Sequence, residues 1–294
     1  MLGPHVVGQR IVVRRVLRGE TGPSGGPALT DLLGVCTAWT ATSCVVLPED
    51  GAPVEIALAD IVSGKPVPPR PSVRHRVSPI EAQTRSLAMW ADLETEPVGA
   101  WVLRHSATSR ARRANSVLAF EASGVADDYD RVVEWYAART GRPVAAVPPD
   151  SPEEALFLGR GWGPESTDAD TVFQLAGVAR VRRALPPADD DVQLEVSAGR
   201  GEGLQAVARI GDLASGVATF DRDWVGLRTI EVAPERRRQG LGRRVLAALL
   251  EWAAEQGATT AYLQVLGDNA PALGLYEGLG FTEHHRYRYL APEG

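Results

Sequence analysis

Residues 227–242 read LRTIEVAPERRRQGLG, and the fold of the last third of the chain turns on how this stretch is parsed. Leu227 to Val232 is an apolar, β-branched run suited to a buried strand, and Pro234 stops it. A helix follows. Leu241, Val245, Leu249 and Trp252 recur at helical spacing, Leu246, Ala248 and Ala253 widen the stripe, and Gly257 ends it. Gly240 and Gly242 therefore open a helix just after a strand. Arg236, Arg237, Arg238, Arg243 and Arg244 crowd that helix start, where the helix dipole favours acids. Free first-turn N–H groups, glycines that admit close approach and flanking guanidiniums together make a phosphate cradle; a solvated arginine run beside an ordinary loop is the competing reading. Two nucleotide motifs do not fit. The turn lacks a Gly-Lys-Ser/Thr ending, and Val245 stands where a dinucleotide fingerprint needs its third glycine.

Downstream, Thr259 to Leu266 reads as a second strand, and residues 269–281, NAPALGLYEGLGF, as a helix closing on Gly280-Phe281. At this point the residues carry a resemblance. RRQGLG (237–242) resembles the Arg/Gln-x-x-Gly-x-Gly/Ala pyrophosphate signature of the GNAT N-acetyltransferase superfamily, with Val232-x-Pro234 at the usual offset before it. Residues 269–281 resemble the closing helix and turn of the same family, and the clear likeness covers roughly residues 190–290.

The resemblance implies an α+β GNAT fold, a mixed twisted sheet flanked by helices, with acetyl-CoA between the strands at 227–232 and 259–266. It assigns the cofactor to Val232, Arg237, Arg238, Gln239, Gly240, Leu241, Gly242, Arg243 and Asn269, and no metal is called for. It also implies direct acyl transfer to a primary amine, a backbone N–H near Val232 steadying the oxyanion. By motif position Tyr276 protonates the leaving thiolate; the alternative is a core residue on the apolar face of Ala272, Leu275, Tyr276 and Leu279. Asn269 either holds pantetheine amides, caps its helix, or does both. The base stays open. Gln264 stands where some relatives carry glutamate, so Glu231, His284, His285 or a water are the candidates, and a non-catalytic acyl-CoA sensor is the alternative function.

Working outward, residues 132–162 repeat the pattern of 249–281: helix, strand, helix, then Gly-aromatic, with Gly141 and Gly257 ending the first helices. The first copy differs where it matters. Between a strand at 115–120 and a helix at 129–138 stands EASGVADDYD, with four acids and one glycine, so no pyrophosphate binds there and one cofactor per chain is expected. No helix is evident between about Ala179 and Gly240, which leaves the first lobe to floor the amine site. Residues 6–17, 32–39, 43–47 and 54–58 read as short strands of a small all-β, SH3-like barrel, and the four prolines of KPVPPRPS (65–72) mark a linker. The expected domains are 1–72, 73–185 and 186–294.

The composition is that of an ordinary globular protein. With 294 residues, 44% hydrophobic, the chain has material for several cores. Cys36 and Cys44 alone make neither a disulfide scaffold nor a four-cysteine zinc site. No apolar stretch suits a membrane span or signal peptide, and a cytoplasmic protein is expected. Only Lys65 among the basic residues is lysine, a codon-bias signature; at net charge −6 a nucleic-acid partner is not expected. Trp39 is the single aromatic of residues 1–75, too few for a methyl-lysine cage. Acid clusters at 168–170 and 189–191 favour a cationic amine, small molecule or peptide.

Overall fold

Ile11, Val13, Cys36, Cys44, Val46 and Ile56 alternate with more exposed neighbours along the N-terminal strands and form one small core. The computed structural model describes residues 2–22, 25–48, 51–67, 73–139 and 142–293, which divide into two units, Met1–Pro71 and Ser72–Gly294. Most of the proline-rich run (68–72) and Gly141 lie outside the described residues. In the first unit β1 (Arg10–Thr21), β2 (Pro27–Trp39), β3 (Ser43–Pro48), β4 (Val54–Ala57) and β5 (Ile61–Pro66) pair antiparallel in the order β4-β3-β2-β1-β5. Among the described residues β4 and β5 do not meet, so the sheet is open and not a closed barrel. Two local expectations are corrected. Val6 belongs to a 3-10 turn, and β5 was missed because Gly64 and Pro66 disguise a strand that its pairing with β1 imposes. Two basic residues of β1 grip acids: Arg14 holds Asp31 at 2.8 and 3.0 Å, and Arg18 holds Asp60 at 2.9 and 3.0 Å.

The second unit is built on a single large sheet. Its elements are α1 (Pro79–Arg85), β6 (Glu94–Val98), β7 (Trp101–His105), β8 (Val117–Leu118), α2 (Asp128–Ala137), β9 (Ala145–Val147), α3 (Pro152–Gly159), β10 (Trp162–Pro164) and β11 (Thr171–Gly177). There follow α4 (Val178–Ala184), β12 (Gln193–Ala198), β13 (Leu204–Ile210), β14 (Ala214–Asp221), β15 (Trp224–Val232), α5 (Leu241–Glu255), β16 (Thr260–Leu266), α6 (Ala270–Gly278) and β17 (Thr282–Pro292). The strand order is β12-β13-β14-β15-β16-β11-β17-β9-β8-β7-β6, with β10 beside β17. α4 corrects the expectation of no helix from about residue 179: Val178 and Val181 bury one face of its two turns.

Among the described residues two strand pairs are parallel, β8 with β9 across α2 and β15 with β16 across α5. The strand that ends each copy is exchanged: β11 lies against β16, while β17 reaches β9 with Arg288–Leu290 and β10 with Leu290–Pro292. Arg288 fixes that crossing on Glu154 at 2.8 Å and Asp170 at 2.9 Å. Phe173 of β11 is fully buried, stacked on Tyr262 and on His285. Neither half of the sheet is complete alone.

Residues 186–294 expressed alone lack β11, leaving β16 with an unpaired edge and Tyr262 without its stacking partner. That fragment should show no cooperative thermal transition by circular dichroism where the whole chain does. A cooperative melt of the fragment would contradict the exchange as a folding requirement.

Candidate functional site

β15 and β16 pair only from Trp224–Thr260 to Leu227–Leu263, and past that point they part. The cause lies on the other side of β15. Against β14, Ser215 faces Glu231 but Val217 faces Arg228, so Thr229 and Ile230 together oppose Gly216. This is a β-bulge. Thr229 takes φ 52°, a left-handed conformation that costs a β-branched residue about 1–2 kcal/mol. Glycine at 216 makes room for it, because a Cβ there would stand 2.6 Å from Ile230 Cδ1 and 2.7 Å from Val245 Cγ1. Ala233 donates its N–H to the Leu213 carbonyl at 2.8 Å, so by antiparallel alternation the Val232 N–H points away from β14, into the gap that β16 has left. The Val232 carbonyl, on the same side, accepts from Arg237 Nε at 3.4 Å.

Beyond β15 the backbone prepares a second feature. Arg238 and Gly240 are left-handed, φ 62° and 82°, and α5 starts without a side-chain cap or any acid in its first turn. From Arg238 to Gly242 the N–H groups have no hydrogen-bond partner among the described residues. A Cβ at Gly240 would meet nothing within 4 Å, and one at Gly242 would make only ordinary contact with Val232. The bareness of these glycines is not demanded by packing; it leaves room for a visitor. Contrast α2, whose N-terminus is closed by its own acid: Asp128 accepts from the Tyr129 N–H and from the Ser123 hydroxyl.

The crowded arginines sort themselves. Arg243 donates to the Ala184 carbonyl at the end of α4, and Arg244 pairs with Asp189 at 2.5 Å. Both thus have partners within the protein. Arg237 and Arg238 line an open cleft of about 1110 Å³, with no carboxylate partner among the described residues. Val232, Glu231, Gly242, Asn269 and Tyr276 line the same cleft, while Gln239, Gly240 and Leu241 shape the turn at its edge. Among residues the sequence did not single out, Leu213, Ala214 and Ser215 of β14 and its preceding turn also line it. No pattern in the sequence marks them.

Tyr276 is 9% exposed, its ring edge-on to Phe281 at 5.7 Å, and burial pushes its hydroxyl up to about 12. Tyr276 belongs to the core and also borders the cleft. Asn269 caps α6, its Oδ1 accepting from the Ala272 N–H at 3.2 Å. Glu231 is exposed in the cleft and forms no ion pair with the arginines among the described residues. The histidines are elsewhere. β17 is separated from β16 by β11, and the bulge at His284 turns both rings onto Val77, Gln83 and Phe173. Burial drives His285 down to about 3, so it is a poor proton acceptor at neutral pH. Gln264 is buried and accepts from the Tyr287 hydroxyl. The acid clusters are likewise occupied: Asp168 with Arg112, Asp170 with Arg288, Asp189 with Arg244. Among the described residues no helix is long and apolar enough to cross a membrane, and no group of three His, Cys, Asp or Glu could hold a metal ion.

The family model described as the C-terminal part of the probable histone acetyltransferase Rv0428c matches residues 81–290. The probable histone acetyltransferase Rv0428c of Mycobacterium tuberculosis is 30% identical over 98% of this chain and 96% of its own length. The ribosomal protein bS18-alanine N-acetyltransferase of Escherichia coli is 44% identical over 21% of this chain and 41% of its own. Among solved structures, a GCN5-related N-acetyltransferase from Kribbella flavida aligns with a TM-score of 0.54 at 16% identity, covering 76% of this chain and 97% of that one, which shows a shared fold.

Difference absorbance between the protein and Tyr276→Phe should lose a phenol that ionises near pH 12, leaving the group neutral throughout the physiological range. Loss of a phenol titrating near pH 10 would contradict the burial seen here.

Proposed function

The chain belongs to the Rv0428c C-terminal family of GNAT acetyltransferases, and from that premise we propose that it moves the acetyl group of acetyl-CoA directly to a primary amine of a small molecule or peptide. Acetyl transfer is the activity of the family; the cofactor's placement and the roles of individual residues are the reading argued here. The observation that carries it is the run of free N–H groups from Arg238 to Gly242, flanked by Arg237 and Arg238 and opening onto the gap between β15 and β16. A helix start with no acid, two unmatched guanidiniums and bare glycines fits a diphosphate.

In this reading the turn and both arginines hold the pyrophosphate, and Asn269 meets the pantetheine arm beside it. When bound, the cofactor supplies an acyl carbon in a thioester. The Val232 N–H, aimed into the gap, holds the negative oxygen that develops there. Glu231, free of ion pairs in the same cleft, takes the amine proton directly or through a water. Tyr276 keeps its proton but is a weaker acid than an ordinary thiol, so its hydroxyl acts by donating a hydrogen bond to the departing sulfur rather than by surrendering the proton outright. Residues 186–294 are the acetyl-CoA lobe and 73–185 a lobe of the same design whose helix start is closed by Asp128; the N-terminal sheet, SH3-like in size, is an accessory unit.

Calorimetry should find one CoA site per chain. Arg237→Ala and Arg238→Ala should each weaken CoA by roughly tenfold or more, since a hydrogen bond to a charged group is worth about 1.5–3 kcal/mol. Two sites, or full affinity in both variants, would overturn the cradle. With an accepted amine in hand, Glu231→Gln should lower kcat about a hundredfold or more, as loss of a general base does; an unchanged kcat takes Glu231 out of the mechanism.

A further inference from the structure

The face of the sheet opposite α5 holds a charge imbalance that the mechanism above does not use. Along β15, Val225 and Leu227 enter the α5 core, while Trp224, Gly226 and Arg228 face the other way, with the Tyr262 ring laid over Gly226. Since Leu227–Leu263 is the last parallel pair, Arg228 and Gln264 are the next residues on either side of the opening gap. The first lobe adds another cation there: Arg113 donates through NH1 to the Gln264 carbonyl at 2.8 Å. Arg228 donates to Gln205 Oε1 at 3.0 Å, but its Nε and the Gln264 Nε2 are buried donors without a partner. No carboxylate stands within ion-pair distance of Arg113 or Arg228 among the described residues, whereas Arg85, Arg112, Arg182, Arg286 and Arg288 all have one. Burial, and then the nearby charge of Arg113, lowers the pKa of Arg228, the direction expected of a cation lacking its counter-charge.

Unsatisfied buried donors are rare in native proteins, and here they converge with two unpaired guanidiniums beside the gap where the amine must arrive. Strands β12 to β15 follow one another without a helix between them, and Gln205, Val207, Val217 and Arg228 of this face are only half-buried, so a small molecule can reach it. We propose that Arg113 and Arg228 bind a carboxylate of the acetyl acceptor, so that the preferred substrate is an amine bearing a carboxylate a short distance from its nitrogen. Arg228 lies four positions before Val232, about 13 Å of strand and less through the bulge, which allows an amine-to-carboxylate separation of roughly 10 Å or below. Amino acids from glycine to lysine, acetylated at either nitrogen of the latter, fall within that reach. The inference rests on the acetyl-transfer reading for its location, and it replaces the expectation of a purely cationic amine.

The full-length chain saturated with CoA is titrated calorimetrically with glycine, the ω-amino acids up to 6-aminohexanoate, and lysine, each beside its own carboxamide. The acid of at least one pair should bind about tenfold or more tightly than its amide. Arg113→Gln and Arg228→Gln should each bring that ratio toward one while leaving CoA affinity intact, which reports that the fold is kept. Thiol release from acetyl-CoA should show the same ratio, mainly in KM. Equal binding of acids and amides, no binding of either, or a preference that survives both substitutions overturns the proposal. Failure of acetyl transfer itself has a different signature: no thiol release from any amine, with the calorimetric preference for acids unchanged.

Discussion

The open cleft of this molecule depends on two strands being made to separate. β15 and β16 begin as a parallel pair and would continue as one, because each further rung would satisfy another pair of backbone groups. The extra residue at Thr229–Ile230 breaks that continuation. It holds Thr229 in a conformation a threonine resists, tolerated because Gly216 admits the distortion and the α5 core packs tightly against it. The strain is modest beside the burial of Val225, Leu227, Leu263 and Val265 in that core, so the fold tolerates it. What the fold gains is a gap with a backbone N–H aimed into it.

The arginines show how charge is apportioned between structure and site. Five of them crowd the start of α5, an arrangement that the dipole alone would disfavour. Two have partners within the protein: Arg243 donates to a carbonyl at the end of α4, and Arg244 pairs with Asp189. Arg237 and Arg238 are left facing the cleft without counter-charge. The same sorting is seen on the opposite face, where Arg112 is matched by Glu165 and Asp168 but its neighbour Arg113 is not. Unmatched cations therefore occur at both mouths of one gap.

The segment 73–185 forms no sheet of its own. Its own helix start is closed by Asp128, yet it gives β11 to the second half of the sheet and takes β17 in return, so the sheet is shared. Through β11 it supplies the Phe173 ring that stacks on Tyr262, and through the turn at 112–114 it places Arg113 against β16. A strand exchange of this kind couples the stability of one half to that of the other, because each completes its core only with the partner's strand.

How much of this was legible differs by residue. The strand, the turn and α5 could be read from 227–257 because apolar period, proline and glycine act locally, and the closing helix at 270–278 followed from the same signals. The arginine-rich turn stood out as a candidate anion site for a related reason: an arginine run at a helix start conflicts with the dipole wherever it occurs, so the conflict is visible without coordinates. The bulge was not readable, since nothing about threonine announces a left-handed φ and only the register against β14 imposes it. Nor was the division of the arginines, which depends on Ala184 and Asp189 arriving from far along the chain, nor the exclusion of His284 and His285 from the gap, which depends on β11 lying between β16 and β17. Local sequence marked most of the strands and helices around the cleft and the turn where basic residues crowd a helix start; the long-range pairing of strands decided which side chains share the gap, because register and strand order are properties of the whole sheet and of no single stretch within it.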